Sequence, residues 1–152
     1  MVKSIAQSHR CQLELYHCNK LVLIPWRDDM NALNEFRCFI HNGRLTAMSV
    51  YNYREYGSRK WSLKPELEIR MIVKNVCEKW NQLEPDAPWN SCVMDVHVSR
   101  DLKVEVIEFN PFGAQSMTGS SMFHWIQDYD QLHGKTDIIE VRLVQVHTHQ
   151  KL

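Results

Sequence analysis

The sequence predicts an α+β fold: an antiparallel sheet with one helix packed against it. Three observations carry this. Two pairs of runs that alternate apolar and polar residues are each joined by a short turn, as hairpins are. Between the pairs, the stretch from Pro65 to Leu83 repeats apolar residues at steps of three and four. A last alternating run follows near the C-terminus, so the order is strands, helix, strands.

Length and composition bound what the chain can be. Its 152 residues suffice for a single domain, 1–152, with one respectable core. Hydrophobic residues make up 44% and charged residues 24%, an ordinary balance for a globular protein. The formal net charge is zero, which argues against an electrostatic grip on nucleic acid or an anionic membrane. No apolar run reaches membrane-spanning length, and the N-terminus lacks the apolar centre of a signal peptide. There are 5 cysteines, an odd number without a CxxC pair. Reduced, mostly buried thiols in a cytoplasmic protein are the expectation. Cys11, His17 and Cys18 lack zinc-site spacing. His147 and His149 read as part of a solvated tail.

In chain order, Gln12–Tyr16 and Lys20–Ile24 are candidate strands, the second ended by Pro25, with a loop from Trp26 to Asn31. Glu35–Ile40 alternates, placing Glu35, Arg37 and Phe39 on one face and Phe36, Cys38 and Ile40 on the other. The turn His41-Asn-Gly-Arg44 follows, because Asn-Gly accepts the positive φ angles of a tight hairpin. Leu45–Tyr51 returns as its partner. Residues 53–63 are aromatic and basic; Tyr53, Tyr56, Arg59, Lys60 and Trp61 fold back on the core or, less simply, face nucleic acid. Pro65 opens the helix, and Glu66 and Glu68 complement its dipole. Ile69, Ile72, Val73, Val76, Trp80 and Leu83 form its apolar face. Residues 84–90 break it. Cys92–Val98 and Val104–Asn110 form the second hairpin across the turn Ser99–Leu102. Residues 114–121 read as a loop, Met122–Ile126 as a short helix or edge segment, and Ile138–Val146 as the last strand.

The candidate site lies on the second hairpin. Strict alternation places Val93, Asp95 and His97 on one face, and Val104, Val106, Glu108 and Asn110 on one face of the partner strand. Pro111 and Gly113 end that strand. If the inward faces agree, Asp95, Glu108 and Asn110 converge. Two carboxylates and an amide carbonyl suit a hard cation such as Mg²⁺, which fills its remaining positions with water or phosphate oxygens. The plainer reading leaves each carboxylate on a solvated face. Arg37 likewise reads as exposed or Glu-paired, with phosphate binding as the sharper alternative.

Leu21-Val-Leu-Ile-Pro-Trp26, Glu35-Phe-Arg-Cys-Phe-Ile40, the following Asn-Gly-Arg-Leu-Thr-Ala-Met-Ser, Asp95, Ile107-Glu-Phe-Asn-Pro-Phe-Gly113 and the pair Phe123 and Trp125 resemble the cell division cycle protein 123 family in order and spacing. The resemblance runs from about Leu21 to Tyr129. It implies an ATP-grasp-like fold, here similar to the C-terminal part of such a domain, that binds ATP and Mg²⁺. It also implies a protein partner, since eukaryotic members assist assembly of a heterotrimeric translation initiation factor. By the same resemblance Asp95, Glu108 and Asn110 correspond to the metal-coordinating group and Arg37 to an arginine facing the phosphates. Leu23 and Trp26 fall in the segment that passes the adenine. Departures from the pattern are as clear. Little chain precedes Leu21, where the family's first lobe supplies nucleotide-holding lysines, and Lys3 and Lys20 are weak candidates for that role. Ile24 and Pro25 replace a basic pair, Tyr51 and Asn52 an Arg-Asp pair, and Gly119 a frequent Asp.

Three functions follow as expectations. One is an ATP- and Mg²⁺-binding protein that works through a protein partner, in the manner of an assembly chaperone. A second is a carboxylate–amine ligase or other phosphoryl-transfer enzyme, its missing lobe supplied by a partner chain or a homodimer. The third is an interaction module without nucleotide. The metal assignment implies that Asp95→Ala and Glu108→Ala both abolish Mg²⁺-dependent binding and leave the fold intact.

Overall fold

The computed structural model describes residues 25, 27–53, 61, 64–87 and 89–144. The candidate strands at 12–16 and 20–24, together with Lys3, Lys20, Leu23 and Trp26, lie outside the described residues.

The architecture is α+β, with one long helix on a five-stranded sheet. The strands are β1 (Glu35–His41), β2 (Arg44–Val50), β3 (Cys92–Val98), β4 (Val104–Pro111) and β5 (Glu140–Arg142), in the spatial order β4-β3-β1-β2-β5. The first four neighbours pair antiparallel, as expected. The fifth strand corrects the all-antiparallel expectation. It runs parallel to β2, so the sheet is mixed. The chain between them builds the helix and the β3–β4 hairpin before returning, and so long a crossover permits parallel pairing. This strand is also shorter than its alternation predicts: Ile138 and Ile139 precede it as irregular chain, and Ile138 stays largely exposed.

The β1–β2 turn uses positive φ at both Asn42 (48°) and Gly43 (75°), the conformation that Asn-Gly readily adopts. Helix α1 spans Pro65–Leu83, with proline in its first turn and Glu66 and Glu68 beside it. Ile72, Val76 and Trp80 are its buried residues, spaced by four, with Val73 and Cys77 half-buried against the same core. They meet Phe36, Cys38, Ile40, Leu45, Met48, Met94, Val96 and Val98 from the sheet. Cys38, Cys77 and Cys92 are free thiols, and burial pushes the Cys92 thiol up to about 11. Trp80 also donates its indole N–H to the Gly43 carbonyl, 2.7 Å, which ties the helix to the hairpin tip.

The opposite face of the sheet has two halves. One is apolar: Phe39, Ala47 and Val93 are covered by Phe123 and Leu132, with Phe112 and Trp125 packed around them. Phe39 meets Phe123 and Trp125 edge-on at 5.3 and 5.5 Å. Leu132 comes from a short helix, α2 (Tyr129–Leu132), which sequence periodicity does not reveal. Residues 122–126 form turns rather than a helix or strand. Arg142 of β5 bonds both oxygens of Asp128 (2.9 and 2.7 Å) and the Met122 carbonyl (3.0 Å), clasping this covering segment. The other half is polar and holds the candidate site.

Candidate functional site

One row of register partners crosses all five strands: Arg142, Ser49, Arg37, Asp95 and Glu108. Partners in register share a face, so sequence positions far apart become neighbours. Asp95 and Glu108 are brought together, as expected, and Arg37 joins them.

Glu108 and Asn110 reach this face by a route that alternation does not predict. The ladder shifts between Asp95 and Val96, so that Asp95 pairs with Glu108 while Val96 pairs with Val106. Ile107 is the extra residue of a bulge and lies exposed. Before it, Val104 and Val106 face the helix; after it, Phe109 does. Glu108 and Asn110 therefore do not share a face with Val104 and Val106. They lie opposite them, on the face of Asp95. A second bulge, between Phe39 and Ile40, offsets β2 at Thr46, whose hydroxyl lies within hydrogen-bond distance of the Leu132 (2.8 Å) and Phe39 (3.1 Å) carbonyls.

Arg37 is neither exposed nor Glu-paired. It is 6% exposed, Asp95 is 3% exposed, and the two form a bidentate ion pair: Nε to Oδ1 at 2.8 Å and Nη2 to Oδ2 at 2.6 Å. Nη1 donates to the Gly119 carbonyl, and the guanidinium lies 4.6 Å from the Tyr51 ring centroid. Burial works against the guanidinium charge, but the Asp95 carboxylate outweighs it and holds Arg37 protonated. Burial pushes the Asp95 carboxyl above the usual carboxylate range; Arg37 opposes that and Glu108 adds to it.

Asn110 completes the cluster. Its side-chain nitrogen donates to Glu108 Oε1 at 2.9 Å and to Asp95 Oδ2 at 3.3 Å. One oxygen of each carboxylate and the amide thus converge on a single spot at the sheet surface, with Glu108 exposed and Asn110 half-buried. The donor set fits a hard cation that takes one or two carboxylates and completes its shell elsewhere. Among the described residues no group of three or more His, Cys, Asp or Glu side chains could hold a metal without such help. Asp95 differs from a free-standing ligand, because both its oxygens already hold Arg37. The buried pair argues against the expectation that Asp95→Ala spares the fold, since the substitution leaves a buried guanidinium unpaired.

Sequence reasoning did not foresee three contacts of Arg37: it named Tyr51 and Gly119 only as departures from the family pattern, and Ser49 not at all. The Ser49 hydroxyl is fully buried beside Arg37 and has no hydrogen-bond partner among the described residues. Tyr51 stacks on Arg37. Gly119 leaves room for it: a Cβ there would stand 3.2 Å from Arg37 Nη1. Arg37, Tyr51, Asn52, Tyr53 and residues 119–121 line a cavity of about 360 Å³ beside the cluster. The register of β1 with β2 points to Ser49, but nothing local signals the approach of Gly119.

The fold is a mixed-sheet α+β domain of the kind found in Cdc123. The structure of Cdc123 from Schizosaccharomyces pombe matches with a TM-score of 0.64 at 21% identity, over 91% of this chain and 55% of that one. A C-terminally truncated form matches at 0.66, over 93% and 59%. The chain belongs to the D123 family, whose model matches residues 3–152. It is 30% identical over 139 residues to a CDC123-like protein of Acanthamoeba polyphaga mimivirus, covering 84% of this chain and 41% of that protein. It is also similar to proteins named translation initiation factor eIF2 assembly protein. That of Lodderomyces elongisporus is 34% identical over 110 residues, 70% of this chain and 27% of that protein. That of Xenopus laevis is 29% identical over 106 residues, 70% and 29%. The chain thus spans less than half the length of these relatives. No helix among the described residues is long and apolar enough to cross a membrane.

Proposed function

We propose that this domain binds ATP with Mg²⁺ through Asp95, Glu108 and Asn110 and acts by holding a protein partner, as an assembly factor. The observation that carries the reading is the convergence of one oxygen from each carboxylate on the Asn110 amide, beside the Arg37 guanidinium. In this reading Glu108 and Asp95 would hold the cation, which would neutralise carboxylate and phosphate charge when bound. Arg37 fixes Asp95 and sets a buried positive charge on the phosphate side. The names of the relatives support an initiation factor of the eIF2 kind as the partner, and cytoplasmic work follows from that. Nucleotide serves here as a structural ligand that stabilises the folded form by linkage.

The test is thermal unfolding with ATP at fixed Mg²⁺, repeated in EDTA. Saturation at about a hundred times Kd adds roughly 2.7 kcal/mol, a rise of about 5–10 °C for a domain of this size. The rise disappears in EDTA and in Glu108→Ala. No rise at millimolar ATP overturns nucleotide binding and leaves an interaction module. Co-elution of the purified chain with eIF2 on size exclusion tests the partner, and separate elution overturns it.

A further inference from the structure

Asn110 presents the wrong end of its amide for a metal ligand, and that follows from the chemistry around it. Asp95 and Glu108 offer only acceptors when ionised. An amide between them is favourable only with its NH₂ turned inward, as found, at 2.9 and 3.3 Å. A hard cation at the same spot needs oxygen, and an N–H group directed at it is repelled. The two occupants exclude each other in one side-chain orientation. The nitrogen and oxygen of an amide exchange places by a half-turn about the terminal torsion, which is broad and roughly two-fold.

We infer that Asn110 is a two-position switch: its NH₂ bridges Asp95 and Glu108 in the cation-free protein, and a half-turn presents its oxygen to an arriving Mg²⁺. This rests on the metal reading above and adds its regulation. The amide is a neutral stand-in for the cation. It offsets part of the repulsion between two neighbouring carboxylates, and so helps Asp95 stay locked to Arg37 whether or not metal is present. The consequence separates Asn110 from an acidic residue. Asn110→Asp gives a third carboxylate, which binds cation but cannot bridge the other two without it.

Two measurements on the full chain decide it. In ¹H–¹⁵N spectra the Asn110 side-chain amide, assigned by its loss in Asn110→Asp, has protons shifted downfield and slow to exchange without cation. Titration with Mg²⁺, with and without ATP, moves them upfield and speeds exchange. In thermal unfolding, Asn110→Asp melts lower than the native chain in EDTA and gains more from Mg²⁺, whereas Asn110→Leu melts lower in EDTA and gains nothing. Amide signals that stay put while Mg²⁺ raises the native melting temperature overturn the switch alone. So does an Asn110→Asp chain as stable in EDTA as the native one. If Mg²⁺ moves neither the native chain nor Asn110→Asp, the metal reading itself falls and the switch with it.

Discussion

Asp95 and Glu108 face each other across two strands, yet a substitution at each does something different. Asp95 is buried and bonded twice to Arg37, so Asp95→Ala strands a guanidinium in the sheet and costs about 3–5 kcal/mol. Glu108 is exposed, and Glu108→Ala stays within about 0.5 kcal/mol of the native stability. Urea unfolding of the two variants checks this, and equal losses would refute the buried pair. The clean probe of the metal reading is therefore Glu108. A second residue-scale effect comes from His41. Burial and the neighbouring His133 ring, 4.9 Å between centroids, push its pKa below the ordinary histidine value. Phe112, Asn42 and Ser91 also face it. A depressed folded pKa means the unfolded chain binds the proton more readily. Stability is thus present above the unfolded value, about 6.5, and falls as the pH drops through the folded one. Melting temperatures across pH 7.5 to about 5 fall less in His41→Phe than in the native chain, and parallel curves would remove His41 as the cause.

At the scale of elements, bulges decide which face a side chain takes. Ile107 is the extra residue of β4. Removing it joins Val106 to Glu108 and leaves strict alternation, with Val104, Val106 and Phe109 toward the helix and Glu108 and Asn110 toward Asp95. A chain lacking Ile107 should keep cooperative unfolding and near-native circular dichroism. Removing Phe109 instead turns Asn110 toward the helix core, and that chain should lose cooperative unfolding. Equal outcomes would mean that the bulge does not set the register. The same bulge shows where sequence reading stops. The bounds of α1 and β3 and the Asn-Gly hairpin were readable, because helical and strand periods and the turn preference act over a few residues. The convergence of Asp95 with Glu108 and Asn110 was also readable, but by a wrong route: Val104, Val106 and Glu108 alternate perfectly in sequence, and only pairing with β3 reveals the slip. The Arg37–Asp95 pair spans 58 positions, beyond any local signal. Helix α2 is a single turn that depends on Leu132 filling the apolar half of the sheet, and the parallel run of β5 depends on a crossover that local pattern does not contain.

For the whole molecule, the sheet is held from two sides by different means. On one side α1 buries Ile72, Val76 and Trp80 in a continuous apolar core, which is insensitive to charge. On the other, the segment 122–132 covers fewer apolar residues and is clasped by Arg142, which bonds Asp128 twice and lies 4.0 Å from the Phe123 ring centroid. That guanidinium holds the Asp128 carboxyl below the usual carboxylate range. The pair's contribution is present above the unfolded carboxylate value and is lost as the pH falls through the folded one. Since Arg142 sits on the edge strand, releasing it frees β5 and the cover together while α1 and the β1–β3 pairing remain. Arg142→Ala should therefore raise amide exchange across 122–132 and 140–142 by about tenfold or more, the effect of losing 1.4 kcal/mol or more of local protection. Exchange in α1 should change far less. Because the polar site shares its sheet face with this cover, Arg142→Ala should also loosen the Gly119 carbonyl that caps Arg37 and weaken any Mg²⁺-dependent stabilisation without touching a ligand. Uniform loss of protection across α1 and the cover would show instead that the two sides unfold as one unit.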